Sequence, residues 1–462
     1  DYLKTRLPDY MLPAAVVPVP GWPLTANGKV DRKALPKPSA DAARTAVPVQ
    51  PRNQTELHLC KIWEDLLGVE EVGVRDDFFA LGGHSLLAVS MFDAVERLFG
   101  KRIPLDTLWY EGGTVETLAR ILRQAQAELL EWGGERASVL EVSHRGKAFM
   151  ALAAESERDL RDLLAVPSNY RILFLQGGAT QHFAQIPMNL ARGASADYVV
   201  SGSWGQKAVK EAAAMCKARV AASSEADGFL RLPARETWQL DAAAAYVHVT
   251  PNETIGGVEM HDTPDTGAVP LVADMSSNIL SRPLDVARYG LIYAGAQKNI
   301  GASGLVVLIV RDDLLERCPA ALPSIYSYAA HAKEGSLLNT PNTFGWYLAA
   351  LVFKWLKAEG GLAAMGERNA AKAALLYDYI DGSGFYSNPI ERAARSRMNV
   401  PFRLADEALD EAFLRESSAA GLLALKGHRS VGGMRASIYN AMPLAGVQAL
   451  VDFMQDFARR HG

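Results

Sequence analysis

The sequence predicts a chain of several domains: a small helical unit first, then a larger α/β unit on a mostly parallel sheet. Three observations predict this. Proline crowds residues 1–52 and excludes a long helix there, because each proline removes an amide donor and fixes φ. Apolar residues then recur at helical spacing from Thr55 to about Leu130. From about residue 139 short β-branched runs alternate with helical stretches, the texture of an α/β domain.

The elements follow in order. Lys37–Gln50 is rich in proline, alanine and serine and reads as a semi-stiff linker. In the first helix, from Thr55, the residues Leu57, Cys60, Trp63, Leu66 and Leu67 are expected to share one face. Ser85–Phe99 is the second helix and Val115–Leu130 the third, with a stripe of Val115, Leu118, Leu122, Ala125 and Leu129. Beyond it, RILFLQGG, ADYVVSGSW, AAYVHVTPN, VPLVADMSS, YGLIYAGAQK and GLVVLIVR read as strands. Glycine and polar residues collect at the ends of these runs, where open α/β sheets bind ligands.

Bulk properties exclude several classes. The 462 residues suit about three domains. With 49% hydrophobic residues, 22% charged residues and a net charge of −4, the chain reads as a soluble globular protein with no nucleic-acid or membrane footprint. The longest apolar run, Leu305–Val310, is far too short to span a bilayer. The three cysteines, Cys60, Cys216 and Cys318, have no CxxC spacing, so neither a disulfide framework nor a metal site is expected, and a reducing cytoplasm is. The sequence starts at Asp1, within a motif, so further residues are expected before it.

In the first third, DDFFALGGHSLLAVSMFDAV holds the sharpest signal. Gly82 and Gly83 permit a tight turn that leaves the Ser85 hydroxyl exposed, although Ser85 is also a fair helix N-cap. The motif resembles the attachment site of peptidyl carrier proteins from nonribosomal peptide synthetases. The resemblance implies a four-helix domain over residues 54–127, with a 4'-phosphopantetheine arm placed on Ser85 by a phosphopantetheinyl transferase. Residues 1–36, with LPDYMLP and PLTANGKVDRKAL, resemble the C-terminal remnant of an adenylation domain, and residues 37–53 form the linker. Lys29 matches that family's catalytic lysine, but without a nucleotide-binding core it reads as a solvated lysine.

In the last two-thirds, YAGAQKNIGASG places Lys298 between a buried strand and a glycine-rich turn. Desolvation there lowers a lysine's pKa and makes it a Schiff-base nucleophile. Asp274, at the end of VPLVAD, can pair with a pyridinium nitrogen or simply cap a turn. LQGGAT offers free amides for a phosphate at a helix start, Trp204 a face for a planar ring, and Thr254 a hydroxyl. Asn339 and Thr340, in LLNTPNTF, otherwise read as turn residues. The pairs His144–Arg145 and His428–Arg429, with Arg435, can together hold a carboxylate and a dianionic phosphate, though each pair alone reads as a surface feature.

These stretches, with SVLEVSHRGKAF and GHRSVGGMRASIYNAM, resemble the phosphoserine aminotransferases, homodimeric fold-type I enzymes that use pyridoxal 5'-phosphate. The resemblance implies a large cofactor domain over 128–355 and a small C-terminal α/β domain over 356–462. Lys298 would carry the cofactor and shuttle the proton, Asp274 hold the pyridinium and Trp204 stack on the ring. Gly178, Ala179, Thr254 and Gln297 would fix the phosphate and ring oxygen. Asn339 and Thr340 would reach the phosphate held by the other subunit. Arg435 would take the α-carboxylate, and the His-Arg pairs the substrate phosphate or the glutamate side chain. The implied reaction converts 3-phosphohydroxypyruvate and L-glutamate to O-phospho-L-serine and 2-oxoglutarate. Where this family begins with an FSAGPA-type segment, the chain has WYEGGTVETLA, so the helix 117–130 belongs partly to each half, as in a chimera. Two other functions stay open: a passive carrier with the enzyme half as fusion partner, and an aminotransferase acting on a carrier-tethered keto group.

Overall fold

The computed structural model describes residues 49–52, 54–76 and 137–462, together with residues 78, 81, 87, 90–92, 94, 95, 98, 132 and 134. The expectations for Lys29, the adenylation remnant, Ser85 and the helix 115–130 lie outside the described residues. The chain divides into two compact units, residues 1–126 and 127–462.

In the first unit, α1 runs over Gln54–Leu67. Leu59, Cys60 and Trp63 face a core with Val69, Val72, Val74, Phe78, Met91, Phe92 and Val95, and the Trp63 and Phe78 rings meet edge to face at 5.0 Å. The expected face needs one correction: Leu57 is exposed and Leu59 takes the core position. The reason is Glu56, fully buried because the Arg52 guanidinium grips both carboxylate oxygens at 2.9 and 3.1 Å. A paired charge occupies the slot that hydrophobicity alone gave to a neighbour.

The second unit rests on a seven-stranded sheet of order β1-β9-β8-β7-β4-β2-β3. Its strands are β1 (Tyr170–Gln176), β2 (Ser195–Val200), β3 (Lys217–Ser223), β4 (Val247–Val249), β7 (Leu271–Asp274), β8 (Leu291–Gly295) and β9 (Leu305–Arg311). β3, β2, β4, β7 and β8 pair in parallel, while β9 runs antiparallel to both β8 and β1. The six apolar runs each form a strand, and β3 is an addition. Its KARVAAS stretch is short of bulky residues because it lies at the sheet edge, half in solvent. A two-stranded ribbon, β5 (Asn252–Glu253) with β6 (Val258–Glu259), follows β4.

Helices cover both faces. α2 (Lys147–Leu164) packs on one side with α7 (Thr343–Ala358), joined by a Trp346 indole N–H donating to Ser156 Oγ at 2.7 Å. α3 (Ala179–Leu190) and α4 (Ser203–Ala212) cover the other, over a core with Phe183, Tyr198, Tyr246 and Tyr293. The short helices α5 (Asp312–Leu315) and α6 (Tyr328–Lys333) complete this layer.

The C-terminal portion comprises α8 (Gly361–Ser383), β10 (Tyr386–Ser387), β11 (Asn399–Leu404), α9 (Asp410–Ala419), β12 (Met434–Ser437) and α10 (Leu444–His461). Its three-stranded antiparallel sheet packs on α8 and α10 around Leu376, Phe402, Phe413 and Met454. Asparagines fasten it to the large sheet: Asn252 Nδ2 donates to Asn399 Oδ1 at 3.0 Å and to Ser277 Oγ at 2.8 Å. Gly257, at φ +74°, meets Pro401 so closely that a Cβ would lie 2.4 Å from its Cδ. That approach brings β11 and β12 against the turn after Thr254.

Candidate active site

The C-terminal ends of β2, β4, β7 and β8 point the same way, as parallel strands must, and their following loops converge. Lys298 stands in the turn after β8. This turn closes through Ile300 and Gly301 amides donating to Ala296 O at 3.1 and 2.8 Å. Lys298 Nζ donates to Thr254 Oγ1 at 2.5 Å and lies 5.8 Å from the Trp204 ring centre. Burial lowers the Lys298 pKa, Asp274 opposes that shift, and Arg435 adds to it. A depressed pKa raises the neutral, nucleophilic fraction of the amine.

Asp274 is buried at the end of β7. Its Oδ1 accepts from the Ser276 amide at 3.0 Å and the Ser276 hydroxyl at 2.6 Å. The capping role and the site role therefore coexist: one oxygen closes the turn and the other remains for a donor in the cleft. Burial raises the Asp274 pKa, and the Ser276 bonds and the Lys298 charge pull it back. Ser276 Oγ also accepts from the Gly295 amide at 3.0 Å, tying the Asp274 turn to the Lys298 strand.

Trp204 sits in the first turn of α4, half-buried, with the Phe183 ring centre 6.4 Å away and Lys207 Nζ over its face at 4.0 Å. Arg435, on β12, reaches the same cluster and donates from Nη1 to the Thr254 carbonyl at 3.3 Å. The Trp204 Nε1 and the Arg435 Nε are both buried, with no hydrogen-bond partner among the described residues. Gly178 caps α3 with no side-chain bond; the Gln181 amide closes back on the Gly178 carbonyl at 3.0 Å, and the Ala179 amide opens the helix ahead of it. Gln297 is exposed beside Lys298. In the loop before α7, Asn339 is half-buried and Thr340 exposed, and the Gln176 side chain of the same chain donates to the Thr340 carbonyl.

The two His-Arg pairs stand apart from this cluster. Arg145 is exposed ahead of α2, and its Nε donates to the adjacent His144 Nε2 at 3.3 Å. His428 Nδ1 lies 2.7 Å from Ser430 Oγ, and Arg429 is exposed. Among the described residues neither pair bonds to Lys298, Asp274 or Arg435. Two contributors escaped the sequence reading. Ser276 stood in plain view two residues after Asp274, a spacing that favours a capped turn. Glu253 stood beside Thr254, but nothing local distinguishes it from a surface glutamate.

Comparisons with known proteins place this fold in a family. Residues 108–450 match the family described as Aminotransferase class-V, and residues 58–122 match Phosphopantetheine attachment site. A phosphoserine aminotransferase of Stenotrophomonas maltophilia (strain R551-3) is 60% identical over 355 residues, 76% of this chain and 98% of that protein. The chain belongs to the phosphoserine aminotransferase family. Another member, from Aromatoleum aromaticum, is 58% identical over 361 residues, 76% of this chain and 98% of its own. Among solved structures, the phosphoserine aminotransferase from Bacillus circulans subsp. alkalophilus superposes with a TM-score of 0.72 at 48% identity, covering 74% of this chain and 96% of that one. A pyridoxal phosphate-bound phosphoserine aminotransferase from Trichomonas vaginalis gives 0.69 at 42% identity, covering 73% and 96%. The sheet order, with one antiparallel strand in a mostly parallel sheet, is thus the sheet of a fold-type I aminotransferase. No helix among the described residues is long and apolar enough to cross a membrane.

Proposed function

We propose that the second unit binds pyridoxal 5'-phosphate and transfers the amino group of L-glutamate to 3-phosphohydroxypyruvate, giving O-phospho-L-serine and 2-oxoglutarate in ping-pong order. The observation that carries this is the meeting of Lys298, Thr254, Trp204, Asp274 and Arg435 at one set of strand ends. The residues fit the cofactor: a desolvated amine, a free carboxylate oxygen on Asp274, and two buried donors, Trp204 Nε1 and Arg435 Nε, that lack partners among the described residues. When bound, the cofactor supplies an electron sink for the substrate's α-carbon.

The chain's own residues do the rest. Lys298 would hold the cofactor through its amine, and the released amine would carry the proton from the substrate's α-carbon to the cofactor's C4′. Asp274 keeps a ring nitrogen protonated with the oxygen that Ser276 leaves unused. Trp204 would offer the stacking face, and Thr254 and Gln297, with Gly178 and Ala179, would fix the phosphate and the ring oxygen. Gly178 and Ala179 present amides to the phosphate at the start of α3. Arg435 binds the α-carboxylate, and His144, Arg145, His428 and Arg429 bind the substrate phosphate or the glutamate side chain. Asn339 and Thr340 act across a homodimer interface.

The test is the visible spectrum of the purified protein. A yellow band that fades when L-glutamate is added supports the reading, and turnover of phosphohydroxypyruvate then follows. A protein that stays colourless after adding the cofactor sinks it.

A second reading concerns the first unit and rests on the attachment-site match over 58–122. Ser85 takes a 4'-phosphopantetheine arm from a phosphopantetheinyl transferase, in the manner of a nonribosomal peptide synthetase carrier. Incubation with such a transferase and coenzyme A should add one arm by mass spectrometry, and Ser85→Ala should abolish the gain. The retained phosphate-binding cations favour a free phosphorylated substrate over one tethered to Ser85.

A further inference from the structure

Glu253 is wholly buried, ends the short strand β5, and forms no ion pair among the described residues. Its carboxylate is spent on one partner, the start of α4. Oε2 accepts from the Trp204 amide at 3.0 Å and Oε1 from the Gly205 amide at 2.8 Å. These are amides of the first helical turn, where no backbone acceptor exists and the helix's positive end favours an anion. The cradle is built for this group. A Cβ on Gly202 would lie 2.5 Å from Glu253 Cγ and Cδ, and its three nearest atoms all belong to Glu253. Gly202 has φ 171°, extended backbone open to any residue, so only the carboxylate accounts for glycine there. The next residue, Thr254, takes the bond from Lys298.

We infer that Glu253 is a positioning residue for the cofactor-stacking wall: it clamps the backbone of Trp204 while Thr254 engages Lys298, so two consecutive residues set the spacing between the ring face and the amine. This rests on the pyridoxal phosphate reading above. The Glu253 pKa is raised to about 7, chiefly by burial; the two amides hold it down, Asp274 adds to the rise and Lys298 opposes it. The clamp is therefore weaker when protonated, since only the carboxylate offers both amides a full acceptor.

The test uses the full chain and measures the pyridoxal phosphate Kd by titration and the induced circular dichroism of the bound cofactor. Glu253→Gln turns an amide donor toward a backbone donor, and should raise the Kd roughly tenfold and weaken the dichroic band. Gly202→Ala should do the same by displacing the carboxylate, yet change little in a Glu253→Ala background, where its clash partner is gone. If Glu253→Gln does not fold, Gly202→Ala carries the test, because it adds one methyl group and removes no polar group. Unchanged Kd and dichroism in the folded variants would overturn the clamp, as would an equal cost of Gly202→Ala in both backgrounds. A wild-type chain that binds no cofactor would instead overturn the proposed function.

Discussion

The cluster around Lys298 and the two His-Arg pairs are both cationic, but they are built differently. Lys298, Asp274, Glu253 and Arg435 stand at or near strand ends: Lys298, Glu253 and Arg435 bond to residues far away in the chain, and Asp274, capped locally by Ser276, is tied to the Lys298 strand through the Gly295 amide. His144, Arg145, His428 and Arg429 lie on loops and bond only to near neighbours. The difference teaches where each part of the chemistry is decided. A Schiff-base amine and a pyridinium partner must be held dry before any ligand arrives, because desolvation tunes them. Cations that take a soluble phosphate can stay solvated and close on it later.

Four results would break or sharpen this contrast. The largest effect belongs to Lys298→Ala, expected to cut turnover at least about a thousandfold by removing the group that moves the proton. Near-normal turnover would end the comparison at once. Asp274→Asn should follow at about a hundredfold in kcat, since a neutral amide cannot hold a protonated ring nitrogen against burial. Arg435→Leu should raise the KM for both amino donor and keto acceptor by roughly tenfold or more, because both carry the α-carboxylate. Arg145→Ala and Arg429→Ala should raise KM by about tenfold while leaving the pyridoxal phosphate Kd unchanged. A shifted cofactor Kd in those variants would merge the two regions.

The smallest effect is on stability. Burial holds His182 and His248 neutral in the fold, pushing their pKa values down to about 3 from the 6.5 of a free imidazole. Between those values the unfolded chain binds protons that the folded chain refuses, so stability is lost as pH falls from 6.5 toward 3. The Tm should fall through this window, by about 2–4 °C for each kcal/mol lost. His248→Gln should flatten the fall, at the cost of the 2.9 Å bond between His248 Nε2 and the Tyr293 hydroxyl. A variant with the wild-type slope would show that His248 is not one of the groups that titrate.

Much of the large sheet was legible because strands buried on both faces are continuous apolar runs, and LVVLIVR or LIYAG can hardly be anything else. The edge strand β3 was not, because solvent on one side relaxes that composition. Lys298 and Asp274 were legible for the same reason as the strands: a polar residue that ends an apolar run sits at a strand mouth. Glu253 was not, because its meaning lies in amides 48 and 49 residues away. Leu57 and Leu59 show the limit within one helix, where a paired Glu56 decided which leucine turned inward.

By itself the sequence determined the six apolar strands of the large sheet, the family, and the identities of the lysine, aspartate, tryptophan and arginine that the structure brings together. Each is a matter of local pattern, apolar period or motif. Only the tertiary structure decided which groups are buried together: that Ser276 caps Asp274, that Glu253 fills the start of α4, and that Arg435 on β12 approaches Thr254. Those decisions depend on sheet order and on the close approach at Gly257, and a pattern read along the chain carries no information about distance across it.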